Sequence, residues 1–168
     1  MNSTTELRIS TPVDEAVVRF QRFVNAPPAL VFEMWTDPEH LRHWWGPRAL
    51  TLVVREIDLR VGGAYRFVSR APDGQEFAFH GVYREVERPR QLVSTFVYEG
   101  LPDNEVVETV TFEPVNGGTL ISSLSVHASL EARDAHIATG MEGGLTESHT
   151  RLDELLESMH ATKAQETG

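Results

Sequence analysis

The sequence predicts an α+β fold: a curved antiparallel sheet wrapped around a long C-terminal helix, with two short helices after the first strand. Three observations predict it. Strand-like segments follow one another from residue 51 to residue 127 with only turn chemistry between them. Two helical segments, each opened by proline, stand between the first strand and that run. An amphipathic stretch from Met141 to His160 closes the chain. A meander of this kind buries one face and needs a cover, and the last helix is the element left to provide it.

Each element has a local reason. Residues 1–14 are polar and are expected to fray. Residues 16–24 alternate, with Ala16, Val18 and Phe20 on one face of a strand. Asn25 is the expected cap of a helix whose first turn takes Pro27 and Pro28, with Leu30, Val31, Met34 and Trp35 at helical spacing. Asp37 caps a second helix, Pro38 to Trp44, which Gly46-Pro47 ends. Strands near 51–58 and 64–70 join across Arg60-Val61-Gly62-Gly63, and Asp73-Gly74 marks a hairpin into 76–87. Arg88-Pro89-Arg90 turns into 91–99, a loop leads to 105–113, and Asn116-Gly117-Gly118 turns into 119–127. Ser129 caps a short helix that stops near Gly140. The long helix follows, with an apolar stripe of Met141, Leu145, Leu152, Leu155, Leu156 and Met159. Gly143 and Gly144 in its first turns cost roughly 1 kcal/mol each against alanine. Either the backbone approaches the sheet there, or room is left for a ligand. A straight helix diverges from a curved sheet, so the wedge between them widens at one end into a cavity. The organisation is one domain, 15–160, with flexible ends at 1–14 and 161–168.

Composition removes several functions. The chain has 168 residues, with 15 Lys+Arg against 25 Asp+Glu, for a net charge of −10. An acidic chain without a basic stripe is a poor partner for nucleic acid or anionic membrane. No cysteine is present, which excludes disulfides, thiolate nucleophiles and Cys-ligated metals. Lys163 is the only lysine, so no core position can hold a Schiff-base or phosphate-loop lysine. The polar start does not read as a signal peptide, and the uncharged stretch 114–130 is interrupted by Asn116, Gly117, Gly118 and serines. The expectation is a cytoplasmic protein without membrane insertion.

The candidate chemistry lies on the strands. Phe77, Phe79 and Tyr83 share a face of the long strand, with Gly81 leaving a gap that a ligand or a helix can fill. Phe96 and Val110 join the same wall if that face is concave. The wall reads as core, as ligand lining, or as both. Glu108 shares parity with Val106, Val110 and Phe112, so it faces inward with them or is exposed by twist at an edge. An inward carboxylate needs a partner or takes up a proton, and could orient a ligand or act as general acid or base. Glu56 shares parity with Leu52 and Val54 and is a weaker version of the same case. Of the adjacent Trp44 and Trp45, about 100° apart on a helix, one is core and the other reaches the cavity mouth. His40 and His43 read as surface, His80 as outer face, and His127, His136, His149 and His160 as scattered, so no metal site is expected. No Gly-x-Ser-x-Gly elbow accompanies Ser122, Ser123 or Ser125. The candidate ligand-binding set is Trp45, Phe77, Phe79, Tyr83, Phe96, Glu108, Val110, Met141 and Leu145, with no catalytic residue, cofactor or metal assigned.

Several motifs run almost end to end: Ala26-Pro27-Pro28 with Val31-Phe32, Thr36-Asp37-Pro38-Glu39-His40-Leu41, Trp44-Trp45-Gly46-Pro47, Asp58 to Gly63, Asp73-Gly74, Gly81 to Val86, Pro89, Gly118-Thr119, and Gly140-Met141 before a Leu-rich helix. Over residues 16–158 the chain resembles the START-like, or SRPBCC, superfamily. Within it, the chain is similar to single-domain relatives of the C-terminal part of the activator of the heat-shock chaperone ATPase. The resemblance implies the helix-grip fold and a hydrophobic ligand cavity. It implies no single activity, because the superfamily includes lipid carriers, hormone receptors, cyclases and chaperone cofactors. Many relatives carry a tryptophan after the glycine that opens the last helix, where this chain has Met141, so pocket shape is not carried over. Three functions follow as expectations. The first is binding of a small apolar molecule such as a lipid, aromatic or polyketide-like compound. The second is a cyclase, hydrolase or isomerase using a pocket carboxylate. The third is modulation of a chaperone ATPase. Exposed sheet edges leave a homodimer open.

Overall fold

The structure, a computed structural model, describes residues 6–167, with side chains described through His160. Its elements are β1 (Arg8–Ser10), β2 (Val17–Val24), α1 (Pro28–Thr36), α2 (Pro38–Trp44), β3 (Thr51–Ile57), β4 (Ala64–Arg70), β5 (Glu76–Glu87), β6 (Gln91–Tyr98), β7 (Val106–Val115), β8 (Gly118–Val126), α3 (Leu130–Ile137) and α4 (Met141–Thr167). The strands form one antiparallel sheet in the order β1-β2-β8-β7-β6-β5-β4-β3. The α1–α2 pair carries the chain from β2 to the far edge, and the meander returns strand by strand to lie beside β2. The Asn116-Gly117 turn, with φ of 50° and 79°, supplies the left-handed pair that a tight β7–β8 hairpin needs.

Several local expectations meet corrections. Arg8–Ser10, in the segment expected to fray, pairs with Gln21, Phe20 and Arg19 of β2. Edge pairing of this kind uses backbone groups and needs no apolar pattern, so periodicity does not reveal it. Asn25 does not cap α1. Pro27 stands at the cap position with extended backbone and no side-chain bond. Asp37 and Ser129 do cap, accepting from the backbone N–H of Glu39 (2.9 Å) and Ala132 (3.0 Å). The last helix runs to Thr167, past the expected end at His160.

Two β-bulges alter parity. One between Val54 and Glu56 leaves Glu56 exposed while Ile57 packs on the core, so Glu56 drops out as an inward carboxylate. The other, between Tyr83 and Glu85, brings Val86 to the core side. The packed core gathers Val31, Phe32, Met34, Leu41, Trp44, Phe112, Ile121, Leu152 and Leu156. Phe32 meets Phe112 edge to face at 5.6 Å, and Trp44 Nε1 donates to the carbonyl of Met34 at 2.8 Å. This core fills the C-terminal half of the wedge and leaves the other half open.

Candidate ligand-binding cavity

A cavity of about 460 Å³ lies between the concave face of the sheet and the first turns of α4. All nine residues of the candidate set line it: Trp45, Phe77, Phe79, Tyr83, Phe96, Glu108, Val110, Met141 and Leu145. Strand register explains why. Tyr83 pairs with Ser94, Ser94 with Glu108, Glu108 with Ser125, and Ser125 with Val18. Directly paired residues point to the same face of a sheet, so the row crosses five strands on the inner side. Val106, Val110 and Phe112 are buried on the same side of β7, which places Glu108 inward as parity expected.

Rings make most of the wall. Trp45 stands edge-on to Phe67 and Phe79, with centroids 5.2 and 5.0 Å away. Phe79 stacks on Phe96 and Tyr98, and Phe96 continues to His136 at 5.9 Å. The gap at Gly81 is taken by neither ligand nor helix. Tyr65, its partner on β4, leans across it, and a side chain at position 81 would collide with the Tyr65 ring and the Thr95 carbonyl. Tyr65 OH donates to that carbonyl at 2.6 Å.

The glycines of α4 are resolved as well. An added Cβ at Gly143 would meet nothing within 4 Å, and one at Gly144 would meet only Pro47 at 4.0 Å. No close backbone approach requires them. Gly144 lines the cavity while Gly143 is exposed, so the room is left on the cavity side.

The polar groups are sparse. Glu108 lines the cavity, and burial raises its carboxyl pKa, partly offset by a hydrogen bond from Ser125 Oγ at 3.3 Å. Burial also raises the phenols of Tyr65 and Tyr83, and for Tyr65 the Glu108 charge adds to it. Three histidines that read as scattered in sequence line the cavity, and two of them meet. His127, just past β8, and His136 of α3 stand edge to face at 5.4 Å, with buried Nδ1 atoms that lack a partner. Burial is the main cause that lowers both, His127 to about 4. His149 of α4 packs against Phe20, Trp35 and Trp44. Burial, with Arg22 nearby, lowers it to about 3. Arg22 is itself buried on β2, only 3% exposed, and donates to Asp153 Oδ1 (2.5 Å) and to the His149 carbonyl (3.2 Å). Its parity with Val18 and Val24 was a signal for inward placement. The histidine pair had none, because it depends on where α3 docks.

The rim is braced by α4. Gly46 N–H donates to Ser148 Oγ (2.8 Å), Arg151 donates to the Gly46 carbonyl (2.8 Å), and Arg48 forms a two-bond pair with Glu154 (2.9 and 2.8 Å). These bonds hold the segment after Trp45 against the helix. His80 is on the outer face, paired with Glu99 at 2.9 Å. Among the described residues, no group of three His, Asp or Glu is placed to hold a metal ion, and no helix is long and apolar enough to cross a membrane.

Solved structures share this architecture. A Rhodobacter sphaeroides protein has a TM-score of 0.83 at 27% identity, covering 91% of this chain and 99% of its own. Protein CV1439 from Chromobacterium violaceum has 0.72 at 29%, covering 83% and 96%. Protein Ms6760 from Mycobacterium smegmatis has 0.81 at 23%, covering 90% and 97%. No curated protein matches the sequence. Residues 25–157 match the family described as Activator of Hsp90 ATPase homolog 1-like protein. With the helix-grip architecture and most of its length inside that match, the chain belongs to the Activator of Hsp90 ATPase homolog 1-like family.

Proposed function

We propose that the protein binds a small, largely apolar molecule between the sheet and α4. The observation that carries this reading is the ring-lined cavity of about 460 Å³. Small-molecule sites typically measure about 300–1,000 Å³, with mostly apolar walls and a few placed polar groups. Burying a ligand's apolar surface there contributes roughly 25 cal/mol per Å². Among lipid, aromatic and polyketide-like compounds, the ring wall of Trp45, Phe79 and Phe96 supports flat ring systems. Native mass spectrometry and tryptophan fluorescence test this with uncharged ring compounds and fatty alcohols. One-to-one complexes are expected, weakened at least about tenfold by Gly144→Leu, which places bulk on the cavity side of α4. Absence of binding across the panel overturns the reading.

A second reading, acid–base chemistry of the cyclase, hydrolase or isomerase kind, is favoured by the raised carboxyl pKa of Glu108 beside Ser125. It requires conversion of a bound compound that Glu108→Gln abolishes.

A further inference from the structure

The polar groups of the cavity carry an uneven charge. Among the described residues, no arginine or lysine lines the wall. The nearby guanidinium groups are engaged elsewhere. Arg22, outside the lining, is bound to Asp153 and the His149 carbonyl and keeps a buried Nε without a partner, Arg133 is bound to Asp134 and the carbonyls of Pro12, Glu15 and Val17, and Arg151 to the Gly46 carbonyl. The wall histidines, 127, 136 and 149, are held toward their neutral forms by burial. Against this stands one carboxyl, Glu108, at the centre of the inner row with Ser94 and Ser125 on either side. A carboxylate can accept about four hydrogen bonds, and Ser125 supplies one. The rings of Tyr65 and Tyr83, 5.3 Å apart, stand on the same wall near it.

We propose that the cavity selects apolar molecules that carry a basic nitrogen and rejects apolar acids, with Glu108 as the countercharge. This rests on the reading of the cavity as a ligand site. An acid entering it would lose its hydration with no cation to replace it. A basic nitrogen would take up the proton that burial favours on Glu108, and the resulting ammonium and carboxylate would share a charge-assisted hydrogen bond beside the electron-rich faces of the tyrosines. Its apolar body would then lie along Phe79 and Phe96.

Naphthylmethylamine, naphthylmethanol and naphthoate share a ring system and differ in the head group. Isothermal titration at neutral pH is expected to rank the amine at least about tenfold tighter than the alcohol, with the acid weakest. In Glu108→Gln, whose folding is checked by circular dichroism and melting temperature, the ratio of amine to alcohol affinity falls to about one. An acid that binds as tightly as the amine, or an amine no tighter than the alcohol, overturns the proposal and leaves the cavity reading standing. A preference that survives Glu108→Gln overturns the role given to Glu108. Failure of all three compounds to bind overturns both readings.

Discussion

The two halves of α4 meet the same sheet in opposite ways. From Leu152 onward the helix is packed: Leu152 is fully buried and Leu156 nearly so, in one cluster with Phe32, Phe112 and Ile121. Before Ser148 the inward positions are Met141, Gly144 and Leu145, and they border empty space. Both halves carry an apolar stripe. What separates them is side-chain volume on the helix set against the distance to the sheet. Met141, Gly144 and Leu145 stand on the cavity, and Leu152 and Leu156 in the packed cluster. An apolar stripe therefore reports burial without reporting whether the burial is filled.

The largest expected effect tests that difference directly. Leu152→Ala should cost about 2–5 kcal/mol in urea unfolding, because it opens a void in packed core. Leu145→Ala should cost less than about 1 kcal/mol, since much of its surface already borders a void. Equal losses would mean that the helix is packed alike along its length.

Next comes His149, which sits at the junction of the two halves. Its folded pKa is lowered to about 3, while an unfolded imidazole titrates near about 6.5. The unfolded state therefore binds the proton first. Stability is full above about pH 6.5 and falls as pH drops toward about 3, by at most about 1.4 kcal/mol per pH unit for this group. His149→Phe should flatten that loss, read as urea midpoints at neutral and mildly acidic pH. A wild-type slope retained in the variant would place the sensitivity elsewhere.

Glu108→Gln acts in the open half with the reverse sign. A raised carboxyl pKa means the native state favours the proton, so stability falls as pH rises through the folded pKa. At neutral pH the amide should stabilise by about 1–2 kcal/mol, because a buried charge with few partners is removed. A loss of stability on that substitution would mean that the carboxylate has stronger partners than Ser125.

The smallest effect comes from Gly144→Ala. It should raise stability by about 1 kcal/mol or less through helix propensity, with no collision at the new methyl group. A destabilised variant, read in the same urea titration, would show that the helix packs more tightly there than the open half allows.

Much of this arrangement is legible in the sequence. Period-two alternation puts Phe79 and Tyr83 on one face and Glu108 on the face of Val106, Val110 and Phe112, and turn residues separate the strands of the meander. What is not legible depends on contacts between segments. The two readings of Glu56, inward or exposed, are separated only by a bulge that shifts parity without a mark in residue type, and it is exposed. The gap at Gly81 was left open because only the β4–β5 register shows that Tyr65 fills it. Histidines 127 and 136 were read as scattered because their meeting depends on the docking of α3. Arg22 is different, since its parity with Val18 and Val24 is a local signal that points inward.

By itself the sequence determined the order of elements from β2 onward, the residues that share a face on β2, β5 and β7, and the absence of thiol and core-lysine chemistry. These follow from local sterics, side-chain periodicity and composition, which act within one segment. The tertiary structure alone decided that half of α4 is packed and half borders a cavity, that His127 and His136 meet at that cavity, and that, among the described residues, no arginine or lysine lines it beside Glu108. Those outcomes depend on distances between segments far apart in the chain, where sheet curvature, strand register and helix docking act together.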